Sequence, residues 1–468
     1  MDGALLVMGS MIGSGIFIVS ADIARNVGSA GWIIAVWVIT GIMTITAAVS
    51  YGELSGMFPR AGGQYVYLKE SYNKLIGFLY GWSFFAVIQT ATIAAVAIAF
   101  AKFSGYFFPV LNLTNDNILL TFASVTIYPA HLVAIGVIIL LTYINSRGVK
   151  EGKYIQLIFT LSKLIALFGL IVFGFMLVRQ SFFAENLATG FNAMQDFGSV
   201  NENGQKVPGS WAEISGIALL GAIAAAMVGS VFSSDAWNNV TFIAGEIRNP
   251  QRNIGLSLFL GTFIVTLLYV TTNLMYLNVL PLRDIAFPEE DRLAVAAANQ
   301  IFGENGRFAI AALIMVSTFG CNNGLILAGA RVYYTMAQDG LFFRKAGTLN
   351  RNGVPQWALW SQCIVASILC LSGRYGDLLD MISFVVVIFY VLTIAGIFIL
   401  RRKRPDAERP YKAFGYPVLP ALYIILGLTF CTLLIIFKPE FTWPGLIIVL
   451  IGIPLYYLIQ KRSTPGGQ

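Results

Sequence analysis

Twice along this chain, an apolar run long enough to span a bilayer is broken near its middle by glycine and serine. The first interruption reads Gly9-Ser10-Met11-Ile12-Gly13-Ser14-Gly15-Ile16-Phe17, the second Gly229-Ser230-Val231-Phe232-Ser233-Ser234-Asp235-Ala236-Trp237. Such residues release backbone N–H and C=O groups from the helical ladder. In hydrocarbon those groups need partners, so a broken helix persists only where it lines a cavity or a ligand site. Two interruptions at corresponding places in two halves of an apolar chain point to a secondary transporter with its site near the membrane midplane.

The surrounding sequence fixes the class. The 468 residues are 57% hydrophobic and 11% charged, whereas a soluble domain carries roughly a quarter charged residues. The chain therefore reads as an all-α integral membrane protein. Twelve apolar spans are expected, from residues 4–23 to 443–459, each about 18–30 residues long and able to cross ~30 Å of hydrocarbon. The fourth, near 132–145, looks short and is expected to begin earlier. Ten-residue alternating strands of a membrane barrel are not seen. The first span contains the break and lacks a basic leader, so it reads as a permanent helix.

Charge gives the topology. Most of the 30 lysines and arginines fall in loops on one side if both termini are cytoplasmic, as in Arg401-Arg402-Lys403-Arg404, while Glu289-Glu290-Asp291 lies on the other. The positive-inside rule then places N and C termini in the cytoplasm of a multi-pass cell-membrane protein. The net charge of +7 is thus a topology signal and implies no nucleic acid partner. The four cysteines fall inside spans, and the single histidine, His131, reads as structural. No P-loop or HExxH motif occurs, so no metal site, cofactor or enzyme activity is expected, and transport without ATP must be secondary.

Helices one to five and six to ten match as two halves. An odd helix number makes the second half inverted, with the breaks in helices one and six. Residues 1–400 are expected to form a ten-helix transport core, 1–180 being the first repeat and 211–400 the second. Residues 401–468 supply a basic connection and helices eleven and twelve. The loop 281–306 holds an Ala-rich helical pattern over 291–301 that could act as a lid.

Around the first break, the N–H groups of Ser14, Gly15 and Ile16 start a half-helix, whose positive end suits a carboxylate. Carbonyls just before each break suit an ammonium group. The pair forms a receptor for a zwitterion, so an α-amino acid is the natural small-molecule substrate. Substrate-binding residues are expected among Met11, Ile12, Gly13, Ser14, Gly15, Phe232, Ser233 and Asp235. Close helix packing by small residues is the bland alternative. Lys163 lies deep in helix five, where a charge is costly and marks function; it is expected to face the core and bond carbonyls or hydroxyls of helix one. Asp235 is expected to cap a half-helix starting at Ala236, with cation or proton binding as the sharper alternative. Glu53 reads as a salt-bridge partner and Trp237 as a packing residue.

The chain resembles the L-type amino acid transporters of the amino acid–polyamine–organocation superfamily. The resemblance rests on Gly9–Phe17, Pro59-Arg60-Ala61-Gly62-Gly63-Gln64-Tyr65-Val66-Tyr67-Leu68, Lys163, Gly245-Glu246-Ile247-Arg248-Asn249-Pro250, Asp339-Gly340 and Arg404-Pro405-Asp406-Ala407-Glu408-Arg409-Pro410. It implies a LeuT-like five-plus-five inverted repeat with two extra helices, and sodium-independent exchange of mostly neutral amino acids. It implies that Ser14 and Gly15 amides hold the carboxylate and that carbonyls of Met11, Phe232 and Asp235 hold the amine. Phe232 becomes a gate, and Lys163 stands in for sodium between helices one and eight, near Ser317. Two departures matter. Residues 102–131 contain no cysteine, so no disulfide-linked heavy-chain partner is expected. Many members have glycine where Asp235 stands, which keeps two rivals in view: a proton-coupled or cationic amino acid or polyamine transporter, and, from another class, an amino-acid-gated sensor or channel. Asn112-Leu113-Thr114 is a sequon in an external loop.

Overall fold

The structure is a computed structural model. It describes residues 2–463 except 123–124, 149–151, 202–205, 243, 245–246, 248 and 373–374, so Gly245, Glu246 and Arg248 of the motif above lie outside the described residues.

Among the described residues, ten helices are long and apolar enough to cross a membrane. The first apolar span is not one of them. It divides into α1 (Asp2–Met11), a 3₁₀ turn at Gly15–Phe17 and α2 (Val19–Val27). Next come α3 (Ala30–Met57), α4 (Gln64–Ser71), then α5 (Lys74–Ser83) and α6 (Gln89–Ser104), joined through a π-helical turn at Phe84–Ile88 into one 31-residue span. The short fourth span does begin earlier: α7 runs from Pro129, a residue suited to a first helical turn, to Ser146. α8 (Gly152–Met176) follows.

After a small α9 (Phe183–Ala188), the second broken span is α10 (Gly216–Ser233) followed by α11 (Asn239–Phe242). Then come α12 (Pro250–Val279), the loop helices α13 (Leu282–Ala286) and α14 (Leu293–Phe302), α15 (Glu304–Gln338), α16 (Gln356–Ser372), α17 (Tyr375–Lys403), α18 (Val418–Phe437) and α19 (Pro439–Ser463). α16 has 17 residues and is shorter than the other expected spans.

Packing puts both breaks at the centre. α1 lies against α12 and α8, α2 against α10, and α10 between α3, α17 and α18. Side chains facing outward, such as Ile165, Phe168 and Leu267, are apolar and exposed, as a lipid-facing surface requires.

The two ends are tied differently. At one end, the described residues of the loops 179–201, 206–215 and 281–303 form a cap. Ala30 N–H donates to Thr189 Oγ1 (2.9 Å), Gly31 N–H to Gly190 O (2.9 Å), and Asn186 Nδ2 to the carbonyls of Leu277 and Leu280 (2.7 and 2.8 Å). The expected lid helix is α14, its Leu293, Ala294, Val295, Ala297 and Ala298 buried. At the other end, Glu53 takes Arg401 (2.7 Å), Arg409 (3.4 Å) and the Ala413 N–H (2.8 Å), and is 1% exposed, as expected of a salt-bridge partner.

Candidate functional site: two helix breaks bridged by a tyrosine

The helical ladder of α1 ends where Ile12 N–H donates to Met8 O (3.0 Å). It resumes in the 3₁₀ turn, with Phe17 N–H to Ser14 O (3.2 Å) and Ile18 N–H to Gly15 O (2.9 Å). Between them, the N–H groups of Gly13, Ser14, Gly15 and Ile16 have no acceptor among the described residues, although all four residues are buried. Buried N–H groups are almost always paired, so four in succession mark a place where an acceptor is meant to arrive. The neighbours press close: a Cβ on Gly15 would run into Ser233, and one on Gly13 would lie 3.1 Å from Cys321 Sγ. Glycine is needed at 15 for this approach, and a side chain at 13 would be tight against Cys321.

The second break starts after Ser233. Ser234 N–H still reaches Ser230 O (2.9 Å) and Asp235 N–H reaches Phe232 O (3.1 Å). Ala236 then takes φ 62°, a left-handed conformation that costs a non-glycine residue ~1–2 kcal/mol, and helix restarts only at Asn239. This corrects the expected cap: Ala236 is not the first residue of the half-helix. Asp235 accepts the Ala236 N–H and, at 2.5 Å, the Tyr390 hydroxyl. No cationic side chain pairs with it among the described residues.

One residue joins the breaks. Tyr269, on α12 and 1% exposed, places its hydroxyl 3.0 Å from both Met11 O and Ser233 O. Nothing in the sequence set Tyr269 apart from the other tyrosines. Of the carbonyls expected to hold an amine, Met11 O is thus met by Tyr269 and Phe232 O by the Asp235 N–H. Each keeps a second lone pair for a ligand.

Lys163 sits where the sequence put it. It is 1% exposed and its ammonium donates to Gly9 O and, at 2.8 Å, to Ile12 O. The last carbonyls of α1 therefore face a fixed positive charge. Ser317 is not part of this contact: its hydroxyl is buried with no partner. Helix α15 meets helix one through Cys321, one turn further on, whose Sγ lies 3.6 Å from Ser10 O. The ring of Phe232 packs edge-on against Tyr375 (6.1 Å), and the Tyr375 hydroxyl lies 3.0 Å from Ser14 Oγ. Phe232 and Tyr375 thus link the two breaks through one ring contact and one hydroxyl pair. Trp237 packs between Tyr51 (4.7 Å) and Tyr390 (5.2 Å).

Residues 3–456 match the family model for amino acid permeases. The chain belongs to that family. This permease is 28% identical to the Asc-type amino acid transporter 1 of Mus musculus, over 98% of its own length and 80% of the relative's. It is 28% identical to the large neutral amino acids transporter small subunit 2 of Homo sapiens (97% and 78%). It is 26% identical to the human b(0,+)-type amino acid transporter 1 (99% and 89%). The permease is a multi-pass membrane transporter of amino acids and not an enzyme. The residues gathered at its breaks, Met11–Gly15 and Phe232–Asp235, are those singled out by the glycine and serine interruptions. Tyr269, Tyr375, Tyr390 and Cys321 are added by the fold.

Proposed function

We propose that this permease exchanges neutral L-amino acids across the cell membrane without sodium, by alternating access. The observation that carries the reading is the buried run of unmatched N–H groups at Ser14, Gly15 and Ile16, a ready receptor for a substrate carboxylate at a helix break. Lys163 on the carbonyls of Gly9 and Ile12 supplies a fixed charge where a coupling cation would otherwise be needed. The relatives' names, large neutral and Asc-type amino acid transporters, agree with this substrate class.

The same reading takes the broken α1–α2 helix and the short α16 together with the ten long spans as twelve transmembrane helices. Residues 1–180 and 211–400 are then the inverted repeats, and 401–468 the appended pair, with both termini cytoplasmic. Helices one, two, six and seven rock against three, four, eight and nine. The absence of cysteine in 102–131 favours a transporter that works without a disulfide-linked heavy chain. Preloaded proteoliposomes test the function: labelled neutral amino acid should leave quickly only when unlabelled substrate is outside, with or without sodium. Equal efflux into empty buffer would indicate a channel or uniporter, and a sodium requirement would overturn the coupling.

A second reading rests on Asp235. A carboxylate inside a membrane protein with only a tyrosine and an N–H for partners invites a cationic substrate group or a proton. Asp235→Asn keeps the shape and removes the charge. Selective loss of arginine, lysine or polyamine uptake, or of pH-driven uptake, would favour this reading.

A further inference from the structure

Just past the second break lies a small cavity, with room for about one water molecule. It is bounded by Tyr80, Phe84, Gln89, Asp235, Asn239 and Tyr390. Several polar groups on its wall are already matched. Gln64 accepts from Asn238 Nδ2 (3.0 Å) and donates to Thr393 Oγ1 (3.0 Å). Thr92 donates to Ile88 O (2.6 Å), and the amide nitrogen of Gln89 to Leu325 O (2.6 Å). Two kinds of capacity are left over. Asn239 is 5% exposed and its Nδ2 has no acceptor. Asp235 keeps lone pairs beyond those used by Tyr390 and Ala236, and Gln89 Oε1 meets no donor among the described residues.

A buried donor beside buried acceptors has a specific complement. An ammonium or guanidinium group only donates, and would leave Asn239 Nδ2 unmatched. A carboxylate only accepts, and would face Asp235. An apolar group would leave all of them unmatched. A primary carboxamide both accepts and donates, and its flat face suits the walls of Tyr80, Phe84 and Tyr390. The distance is also right. Ser233 abuts Gly15 of the first break, and Asp235 lies two residues on, at most about 7 Å of chain, which is within reach of a side chain of glutamine length.

We propose that this cavity is the side-chain subsite of the substrate and selects a primary carboxamide, with Asn239 donating to its oxygen while Asp235 and Gln89 accept from its NH₂. The proposal rests on the amino acid transport reading and names the substrate class within it. The cavity widens as the side chain enters.

The test uses the full chain in proteoliposomes and in detergent. Counterflow of labelled alanine is competed with glutamine, methionine, glutamate and arginine. Methionine matches glutamine in length but makes no strong hydrogen bonds. Glutamine should compete about tenfold or more better than methionine, since a site built around hydrogen bonds rejects an analogue lacking them. Asn239→Leu should collapse the glutamine-to-methionine ratio toward one, a quantity independent of the variant's overall rate. Gln89→Met should narrow the ratio as well and serves if Asn239→Leu does not fold. Methionine equal to glutamine, arginine as the best competitor, or a ratio unchanged in both variants would overturn the proposal. Thermal stabilisation of the purified chain by the same ligands separates the two claims. Stabilisation by glutamine over methionine without counterflow would uphold the subsite and overturn transport.

Discussion

Arg25 and Asp235 stand on the two interrupted helices, and their surroundings differ in kind. Arg25, on α2, is 4% exposed and fully engaged. It meets Asp291 (2.8 Å), Asp22 (3.1 Å) and Ala286 O (2.6 Å), and lies over the Phe287 ring (5.8 Å). Asp291 in turn faces Lys102 (3.8 Å), while Arg292 reaches Lys102 O (3.0 Å) and Asn112 Oδ1 (2.6 Å). Burial alone would raise the Asp291 carboxyl, but Lys102 and Arg25 hold it well below the usual carboxylate range. This clasp ties helix one to the loop cap and to the end of α6 with each charge answered. At the breaks, by contrast, four N–H groups have no acceptor and Asp235 has no counter-charge among the described residues. A region whose polar groups satisfy one another holds a shape; a region whose polar groups wait for a partner binds one.

The largest expected effect comes from filling the waiting region. Gly15→Val would drive a branched side chain into Ser233 and across the N–H cradle. Substrate KM should rise by about 100-fold or more, or counterflow should vanish, while gel filtration shows an intact protein. A KM within a few-fold of the parent would mean that the cradle is a packing patch.

Next comes Lys163→Ala. It leaves the carbonyls of Gly9 and Ile12 without their donor, and should slow exchange about tenfold or more while substrate binding changes far less, because the balance of conformations has shifted. Labelling of a cysteine placed in α1 should change with it. Unchanged turnover would reduce Lys163 to a structural residue.

A smaller effect is expected in the matched region. Asp291→Asn should lower stability by about 1–2 kcal/mol, less than the ~3–5 kcal/mol of a fully buried pair, since Asp291 is partly exposed. The sign with pH follows from the lowered folded-state pKa. The contribution is fully present above the unfolded carboxylate value, near 4, and is lost as pH falls toward the lower folded value. The difference in thermal midpoint between parent and variant should thus be flat from pH 8 to 5 and shrink below about pH 4. A difference that grows on acidification would contradict the pairing.

The smallest change is expected for Asp235→Asn with neutral substrates that carry no side-chain amide, such as alanine. Asparagine can still accept the Tyr390 hydroxyl, so exchange rates should stay within a few-fold of the parent. A large loss would move Asp235 into the role of a required charge.

How much of this could be read in advance follows from how local each signal is. The breaks were legible because glycine and serine stand out inside apolar runs. Lys163 and Glu53 were legible because a charge there must find a partner. The start of α11 was not, since nothing about alanine at 236 announces a left-handed backbone. Tyr269, Tyr375 and Tyr390 were hidden for another reason. A tyrosine in an apolar helix looks alike whether it packs or bridges, and only the approach of α12 and α17 to the breaks gives each hydroxyl its acceptor. Cys321, one helical turn beyond Ser317, makes the contact of α15 with helix one, and the pattern of α15 does not single it out. The Arg25 clasp joins residues 22–25 to 286–292 and to Lys102, distances in sequence over which no pattern is written.

The central claim is that the unmatched N–H groups of Ser14, Gly15 and Ile16 read a substrate carboxylate. Competition of labelled counterflow by one neutral amino acid and by the amine left when its carboxylate is removed tests it most directly. The account predicts that the amine competes at least about 100-fold more weakly, as expected for loss of a charge-assisted set of hydrogen bonds. Equal competition by the amine would show that the first break does not hold a carboxylate.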